Sequence, residues 1–343
     1  MKKYIGVIGA GSFGTCLSKL ISYNTRCLLF TRQEETAETI NKEHHFMGYE
    51  LPKSLEATTD LTRIADECQL IFPVVRSDSF RSMMKTLAPY LKPYHILIHG
   101  TKGFDWVGVD IDKGFPKIGR NNIRTMSEVI TEESQVIRVG CVSGPNLSKE
   151  IMAGLPAASV IASHFDEVIK LGHEALQSPL FKIYRSHDIL GAELAGALKN
   201  MIAIGAGIIG GLEMGKNIEA MFITRGLREM LLIGMAMGAD YKTFFGNAGL
   251  GDLIATATSN NSRNYQFGLQ LATGKSKSEI EAASEELAEG VRTVKLMFHF
   301  GRENNLNVPI VEMLYAVIYG GLELRKAINY LLEYPYSVDV DFL

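Results

Sequence analysis

The chain has 343 residues, which is long for a single hydrophobic core and favours two domains. Its 35 lysines and arginines are balanced by 38 aspartates and glutamates, and no basic block or stripe occurs, so nothing indicates a nucleic-acid partner. Four cysteines lie far apart without a CxxC pair, which argues for free thiols in a reducing cytoplasm and against disulfides or a metal site.

The N-terminus lacks the pattern of a signal peptide, because two lysines lead directly into an apolar strand at residues 4–8. That strand runs into the sequence GAGSFG. Gly9 allows a sharp turn, Gly11 allows the backbone to approach a phosphate, and Gly14 allows the next helix to pack on the sheet. A helix beginning near Ser12 would direct free N–H groups toward an anion. The pattern predicts a dinucleotide site, with an ordinary strand-to-helix turn as the alternative.

The second apolar run, residues 27–31, ends in Arg32, and no acidic residue occupies the position that selects NAD through the ribose 2′-hydroxyl. The planar, permanently charged guanidinium of Arg32 suits a phosphate, which predicts that NADPH is accepted alongside NADH or in preference to it. The alternative is an arginine that stacks on adenine without contacting the 2′-phosphate.

Further short apolar runs follow, interleaved with helical periodicity, at residues 69–72, 95–98, 136–139, 158–161 and 181–184. They predict the strands of a mostly parallel sheet. Beyond residue 190 the pattern is helical almost throughout. A capping box at Ser276 and Glu279 marks the start of one helix, and Pro309 opens another.

The predicted fold class is therefore α/β. An N-terminal Rossmann-type domain with a doubly wound, mostly parallel sheet is expected over residues 1–190, and a C-terminal all-α domain over residues 191–343. The apolar run at 189–212 contains the charged residues Glu193 and Lys199, so we expect a helix buried inside the protein rather than a membrane span.

An active site is expected between the two domains, outside the carboxyl ends of the strands. Lys102, in the sequence TKG, follows the strand that ends at His99 and could reach a phosphate or a carbonyl oxygen; a solvated loop lysine is the alternative. Gly144, Asn146 and Ser148 follow another strand in the sequence SGPNLS, which either lines the cleft or forms a purely structural turn.

Lys199 is the only lysine or arginine between Arg185 and Lys216, and it lies among small and apolar residues. Burial would lower its pKa toward the range that is useful for proton transfer. The alternative is a packed helix with one snorkelling lysine.

A last polar cluster follows the sequence GLGD. If the segment after it is one helix, Asp252, Thr256 and Arg263 lie at offsets of four and eleven residues and close to one face. Asp252 would then lie beside a cationic centre and Arg263 would face an anion. The asparagine pair at 260–261 could interrupt the helix.

These motifs occur in the order GAGSFGT, TKG, SGPNLSKE, GALKNMIAIGAG, ITRGL, AGLGDL, SRN and AEG. In this order and at these distances the chain resembles the NAD(P)-dependent glycerol-3-phosphate dehydrogenases of the bacterial type, from about residue 4 to residue 320. GALKN, GLGD and SRN are highly specific when they occur together.

The resemblance implies reversible reduction of dihydroxyacetone phosphate to sn-glycerol 3-phosphate, with NADPH or NADH as cofactor, in support of phospholipid synthesis. By position, Lys199 is implied as the general acid/base, Asp252 as its orienting partner, and Lys102 as the residue that touches both nicotinamide and substrate. The implied substrate contacts are Lys102, Gly144, Asn146, Lys199, Asp252, Ser262, Arg263 and Asn264. The implied cofactor contacts are Gly9, Gly11, Ser12, Phe13, Gly14, Arg32, Lys102, Ser148, Arg263 and Glu289.

Some positions depart from the family pattern. Phe13 replaces the usual tryptophan, which keeps an aromatic wall but loses an N–H donor. Arg76 replaces the proline of a Val-Pro-Ser sequence and brings a cation near the cofactor pocket. Leu147 and Ser148 stand where phenylalanine and alanine are common, a change in packing.

Two other functions are compatible with the same fold. The first is a related two-domain reductase that acts on a β-hydroxyacid or ketopantoate, but SRN after GLGD disfavours it because a carboxylate substrate needs no phosphate grip. The second is a dinucleotide sensor without turnover, which the retention of Lys199 and Asp252 disfavours. Stable membrane insertion is not expected, and the apolar helical half is compatible with a homodimer.

Overall fold

The computed structural model describes residues 3–114, 116–284, 288–335 and 338. The chain forms two compact units. The first comprises Met1–Asp105 and Arg124–Glu193, and the second comprises Trp106–Ile123 and Leu194–Leu343.

The strands are short and most of them belong to the first unit. In chain order they are β1 (Tyr4–Ile8), β2 (Cys27–Phe30), β3 (His45–Phe46), β4 (Tyr49–Glu50), β5 (Leu55–Thr58), β6 (Cys68–Pro73), β7 (Ile96–His99), β8 (Asp105–Trp106), β9 (Ile123–Arg124), β10 (Arg138–Ser143), β11 (Ala157–Ala162) and β12 (Phe181–Ser186). Eight of them form one sheet in the order β12-β11-β10-β7-β6-β1-β2-β5, which is parallel except between β10 and β11.

The helices follow in chain order. They are α1 (Ser12–Asn24), α2 (Glu34–Glu43), α3 (Leu61–Glu67), α4 (Ser77–Leu87), α5 (Met126–Glu133), α6 (Ser148–Met152), α7 (Asp166–Leu176), α8 (Ile189–Gly211), α9 (Lys216–Ala236), α10 (Asp252–Ala257), α11 (Arg263–Ala272), α12 (Lys277–Ala282), α13 (Glu289–Glu303), α14 (Pro309–Gly320) and α15 (Leu324–Glu333).

The sheet has the doubly wound topology that the sequence predicts. Counted along the chain, its first six parallel strands are β1, β2, β5, β6, β7 and β10, and their spatial order is 3-2-1-4-5-6. This is the strand order of dinucleotide-binding sheets, in which the connection reverses direction between the first and fourth strands. The reversal lies between β1 and β6, directly beside the glycine-rich turn. The α/β fold class is confirmed.

Both faces of this sheet are covered by helices, which explains why its strands are apolar without interruption. Val7 and Leu29 contribute to a core that includes residues of α1, α2 and α7. Their neighbours Ile8 and Leu28 point to the other face and join a core with residues of α3, α4 and α5. Successive side chains of a strand alternate between faces, so each strand contributes to both cores.

The second unit is built mainly from helices, with α8 at its centre. Helix α8 is long and apolar enough to cross a membrane, but 89% of its most apolar stretch is buried inside the protein. A Cβ at Gly207 would lie 2.1 Å from the Tyr265 carbonyl oxygen, and one at Gly268 would lie 2.0 Å from the Ile204 carbonyl oxygen. Glycines on both helices therefore allow the backbones of α8 and α11 to touch.

The division between the units differs in one segment from the boundary predicted at residue 190. Trp106–Ile123 was expected in the first domain but belongs to the second unit. The Arg292 guanidinium lies 4.6 Å from the centre of the Trp106 ring, and Lys295 forms an ion pair with Asp112. These contacts join distant parts of the sequence, so no local pattern predicts them.

The structure also decides two local predictions. The apolar run at 136–139 was expected to be a strand, but β10 begins at Arg138, and Val136 instead packs in the core below the sheet. Of the two possibilities considered after Gly251, the interrupted helix is the one observed, because α10 ends at Ala257 and a new helix, α11, begins at Arg263. The Ser276 capping box and the start of α14 at Pro309 are confirmed.

Candidate active site

The glycine-rich turn after β1 has a backbone that only glycine permits at two positions. Gly9 has φ of 115°, and a Cβ there would lie 2.5 Å from the Val74 carbonyl oxygen. A Cβ at Gly14 would lie 1.8 Å from the Gly9 carbonyl oxygen. At Gly11, by contrast, no heavy atom from outside the adjoining residues of the chain lies within 4 Å of the ideal Cβ position. The space beside Gly11 is therefore open, and a phosphate could enter it.

Helix α1 starts at this turn. Gly11 is its N-cap and supplies no side-chain hydrogen bond, so the first N–H groups of the helix are not capped by it. Ser12 is exposed at the first helical position. The open space at Gly11 and the uncapped helix end together fit the pyrophosphate of a dinucleotide.

Phe13 connects this turn to the loop that carries Lys102. A Cβ at Gly100 would lie 2.9 Å from Cε1 of Phe13, so the ring lies directly against the backbone after β7. The hydroxyl of Thr101 donates a 2.6 Å hydrogen bond to the Val75 carbonyl oxygen. The ends of β6 and β7 are thereby held together beside the cofactor turn.

Two arginines lie on the same unit. Arg32 follows β2 and is exposed, next to the buried Thr31. Arg76, the residue that replaces the family proline, is the N-cap of α4 and forms an ion pair with Asp78. Because Arg76 is partly neutralised by its neighbour, Arg32 is the stronger candidate to bind a 2′-phosphate.

Lys102 contacts the turn that follows β10. Its Nζ donates a 2.8 Å hydrogen bond to the carbonyl oxygen of Gly144, whose φ is 137°. Asn146 Nδ2 donates to Ser159 Oγ at 3.0 Å, while the buried Oδ1 of Asn146 has no hydrogen-bond partner. A buried acceptor without a partner is costly unless a ligand supplies a donor. Ser148 begins the short helix α6 on the same turn.

The second unit holds a buried ion pair at the centre of α8. Lys199 Nζ lies 2.6 Å from Asp252 Oδ1, and it also donates to the hydroxyl of Thr256. The three side chains are 5%, 1% and 4% exposed. The buried Lys199 is thus in direct contact with the opposite charge of Asp252, and this contact holds the ammonium in one position.

The GLGD sequence explains how Asp252 reaches this position. Asn247–Gly251 forms a wide π-helical turn that leads into α10. A Cβ at Gly249 would lie 2.2 Å from the Phe244 carbonyl oxygen, so a larger residue would push the turn away. Asp252 is the first residue of α10, where an acidic side chain is favoured by the helix dipole.

The residue after Lys199 joins a second polar group. Asn264 Nδ2 donates to Asn200 Oδ1 at 2.9 Å, and Asn264 Oδ1 accepts from the Gly290 N–H at 2.9 Å. A Cβ at Gly290 would lie 2.5 Å from the Asn200 carbonyl oxygen, which makes glycine necessary there. Glu289 is the first residue of α13 and precedes this contact.

Ser262 and Arg263 stand at the start of α11. Ser262 is its N-cap and accepts a 3.2 Å hydrogen bond from the Tyr265 N–H, and Arg263 is exposed at the first helical position. An exposed guanidinium at a helix N-terminus is suited to binding a phosphate.

The implied site residues thus form two groups, one on each unit. The first unit carries Gly9, Gly11, Ser12, Phe13, Gly14, Arg32, Lys102, Gly144, Asn146 and Ser148. The second unit carries Lys199, Asp252, Ser262, Arg263, Asn264 and Glu289. Among the described residues, no group of three or more His, Cys, Asp or Glu side chains could hold a metal ion.

Sequence reasoning assigned no role to Thr256, Asn200 or Gly290, although all three touch site residues. The spacing of four residues between Asp252 and Thr256 was a signal that could have placed Thr256 beside Lys199. Asn200 is part of the GALKN motif, but its contact with α11 depends on the packing of two helices and has no local signature.

Comparison with known proteins identifies the family. A family model described as the NAD-dependent glycerol-3-phosphate dehydrogenase N-terminus matches residues 4–169, and one described as the C-terminus of the same family matches residues 188–329. Glycerol-3-phosphate dehydrogenase (NAD(P)+) of Acinetobacter baumannii strain SDF is 37% identical over 347 residues, which cover 99% of this chain and 92% of that protein. The enzyme of the same name from Pseudomonas aeruginosa strain LESB58 is 37% identical over 344 residues, which cover 99% and 97%.

A solved structure agrees. Glycerol-3-phosphate dehydrogenase (gpsA) from Coxiella burnetii superposes with a TM-score of 0.85 at 31% identity, covering 97% of this chain and 99% of that one. The chain belongs to the NAD-dependent glycerol-3-phosphate dehydrogenase family.

Proposed function

We propose that the protein catalyses the reversible, NAD(P)H-dependent reduction of dihydroxyacetone phosphate to sn-glycerol 3-phosphate, which supplies the glycerol phosphate backbone for phospholipid synthesis. Family membership supports the reaction. The structural observation that carries the proposal is the buried Lys199–Asp252 pair, an ammonium held in a fixed position by a carboxylate at 2.6 Å.

The chemistry requires a positive group near the ketone oxygen. When bound, the reduced nicotinamide supplies the hydride. As the carbonyl carbon is reduced, its oxygen gains negative charge, which the Lys199 ammonium stabilises and then neutralises by donating a proton. Asp252 and Thr256 accept hydrogen bonds from the same ammonium and keep it oriented. In the reverse direction Lys199 accepts the proton from the alcohol.

The phosphate of the substrate is assigned to the start of α11. Arg263 supplies a charged, planar donor, and Ser262 and Asn264 flank it at the helix N-terminus. Binding energy from this remote group would fix the carbonyl for reaction, because the phosphate itself does not change during the reaction.

The cofactor is assigned to the first unit. Gly9, Gly11, Gly14 and the start of α1 hold the pyrophosphate, with Phe13 as the aromatic wall and Arg32 at the 2′-phosphate. Lys102, Gly144, Asn146 and Ser148 lie on the neighbouring loops of this unit. Glu289 and Arg263, which belong to the second unit, are assigned to the cofactor from the family resemblance. The buried free acceptor of Asn146 supports a ligand at its turn.

The proposal also covers location and assembly. The four cysteines are free and buried, which suits a reducing cytoplasm. We include a homodimer in the proposal on the basis of the apolar helical half of the chain.

The decisive experiment is oxidation of NADH and of NADPH by the purified protein, with and without dihydroxyacetone phosphate, for wild type and Lys199→Ala. We expect ketone-dependent oxidation in wild type and a loss of at least about a hundredfold in kcat for Lys199→Ala, because one positioned acid contributes that much. Lys242→Ala, an exposed lysine of the same unit, serves as the control and should retain wild-type kcat.

Other outcomes would change the assignment. Oxidation with ketopantoate or a β-ketoacid but not with dihydroxyacetone phosphate would favour the related reductase. Cofactor binding without oxidation of either cofactor by any ketone would favour a sensor. Full activity in Lys199→Ala would remove the acid/base role from that residue.

A further inference from the structure

A buried imidazole lies at the end of β7, three residues before Lys102. His99 is 1% exposed, and its Nε2 is 2.8 Å from Oε1 of Glu193. At this distance the two side chains form an ion pair when the imidazole is protonated. The ring also makes an edge contact with Phe80, with the ring centres 5.9 Å apart. The proposed reaction uses neither His99 nor Glu193.

The carboxylate of Glu193 has further partners at the start of α5. The backbone N–H of Ser127 donates to Oε1 at 2.8 Å, and the Ser127 hydroxyl donates to Oε2 at 2.5 Å. Burial alone would raise the pKa of Glu193, but His99 and the two donors from Ser127 outweigh it and hold the pKa below its usual value. The group is therefore a buried carboxylate kept ionised by its surroundings.

Lys102 lies in the same electrostatic environment. Cys141 on β10 pairs with His99 across the sheet, and its thiol interacts with the charges of Glu193, Asp188 and Lys102. Burial, with the nearby carboxylates, raises the pKa of Cys141 well above its usual range, so the thiol stays neutral. The charged groups around the Cys141 thiol are thus Lys102, the carboxylates of Glu193 and Asp188, and His99 when it is protonated.

The loop between His99 and Lys102 is short and firmly held. The Gly100 N–H donates to the Pro73 carbonyl oxygen at 3.0 Å, and the Thr101 hydroxyl donates to Val75 at 2.6 Å. At its end, Lys102 Nζ reaches the Gly144 carbonyl oxygen. Because the loop is short and its backbone is held by these hydrogen bonds, we expect a shift of His99 to displace Lys102 as well.

Glu193 is also the fifth residue of α8, just after its first turn. Lys199 follows six residues later on the same helix, which corresponds to a rise of about 9 Å. The start of the helix that bears Lys199 is therefore fixed within the first unit, by one carboxylate that contacts His99 and Ser127.

We propose that His99, Glu193 and Ser127 form a positioning cluster that sets the place of Lys102 for the ketone and the nicotinamide. The inference rests on the proposed function, because it assigns Lys102 to that chemistry. Glu193→Gln would leave the shape almost unchanged but remove the carboxylate that faces His99, and His99→Gln would remove the imidazole. In both variants the end of β7 loses the contact between the His99 imidazole and the Glu193 carboxylate.

The test is a double-mutant cycle with Lys102. Glu193→Gln and His99→Gln are each prepared in wild type and in Lys102→Ala. In wild type we expect kcat to fall and KM for dihydroxyacetone phosphate to rise, with kcat/KM reduced roughly ten- to a hundredfold, since small misplacements have effects of that size. In Lys102→Ala we expect no further loss.

Binding of 2′-phospho-ADP-ribose, measured by calorimetry, separates positioning from general damage. This fragment lacks the nicotinamide and reaches only the glycine turn and Arg32, so its affinity should be unchanged in both variants. Glu56→Gln is the matched control: it removes another ion-paired carboxylate of the same unit, which contacts Arg26 and Arg63, and it should leave kcat and KM unchanged.

Three results would overturn the inference. The first is wild-type kcat and KM in Glu193→Gln and His99→Gln. The second is an equal loss of kcat/KM in the presence and absence of Lys102, which would indicate a purely structural role. The third is a matching loss of fragment affinity. If Glu193→Gln does not fold, the cycle with His99→Gln alone tests the inference. If the activity of Lys102→Ala is too low to measure, Lys102→Arg replaces it in the cycle.

Absence of ketone-dependent oxidation in the wild-type protein would instead contradict the proposed function. The proposed function is tested by the activity of the wild-type protein itself, whereas the inference is tested by the activity of the variants relative to wild type. The two failures are therefore distinguishable.

Discussion

At the scale of single residues, a buried charge is kept only where its partners are in place. Lys199 is surrounded by apolar side chains of α8, yet Asp252 and Thr256 meet its ammonium directly. An isolated lysine in an apolar run was enough to predict that this residue is unusual. Its partners come from α10, more than fifty residues later. The spacing after GLGD placed Asp252 beside a cationic centre, but only the resemblance to a family named Lys199 as that centre.

Local sequence patterns predicted the surroundings of Arg263 less well than those of Lys199. A face shared with Asp252 and Thr256 was possible only if one continuous helix followed Gly251. Ser262 instead caps a new helix, because its side chain satisfies the Tyr265 N–H that a helix start leaves without a partner. The asparagine pair at 260–261, just before this helix, was the sequence feature that indicated a break between the two helices.

Arg32 gives a prediction at this scale. Arg32→Ala should weaken NADPH binding by roughly ten- to a hundredfold and leave NADH binding nearly unchanged, because a charge-assisted hydrogen bond to the 2′-phosphate is lost. Fluorescence titration of both cofactors measures the effect. Arg185→Ala, an exposed arginine of the same unit, is the control. An equal loss for both cofactors would favour the adenine-stacking alternative.

At the scale of elements, the strands were the easiest to predict and the helix contacts the hardest. Strands buried on both faces are apolar runs, so β6, β7, β11 and β12 lie where the sequence placed them within one to two residues. Backbone contact between α8 and α11 depends on glycines whose role becomes visible only when both helices are packed.

The packing of α8 on α11 predicts a sharp contrast between two glycines. Gly207→Ala should lower the free energy of unfolding by about 1–3 kcal/mol, since the new methyl would lie 2.1 Å from the Tyr265 carbonyl oxygen. Gly320→Ala, whose Cβ would have its nearest neighbour at 4.0 Å, should be neutral or slightly stabilising. Urea unfolding of both variants provides the measurement, and an unchanged Gly207→Ala would show that the helices can separate without cost.

At the scale of the whole molecule, chain length predicted two domains, and the spacing of the cysteines predicted free thiols. The four cysteines are free and buried, and burial raises the pKa of Cys16 and of Cys27 to about 12. Composition could not reveal which unit holds residues 106–123, because that depends on contacts with α13.

Thiol accessibility tests the packing of the first unit, which contains all four cysteines. With the reagent DTNB at pH 8, fewer than one thiol per chain should react within minutes in the native protein, and four should react after unfolding, because a thiol must be both exposed and ionised to attack. Ser284→Cys, at an exposed position, should add one rapidly reacting thiol. Rapid reaction of a native cysteine would show that part of the core opens readily.

The placement of residues 106–123 means that the chain passes from one unit to the other three times, after Asp105, after Ile123 and after Glu193. The second unit is therefore discontinuous in the gene. A fragment that starts at residue 194 would lack Trp106 and Asp112, leaving Arg292 and Lys295 without those partners, while the complementary fragment would carry a segment with nothing to fold against. Splitting this enzyme at a single peptide bond cannot yield two intact halves.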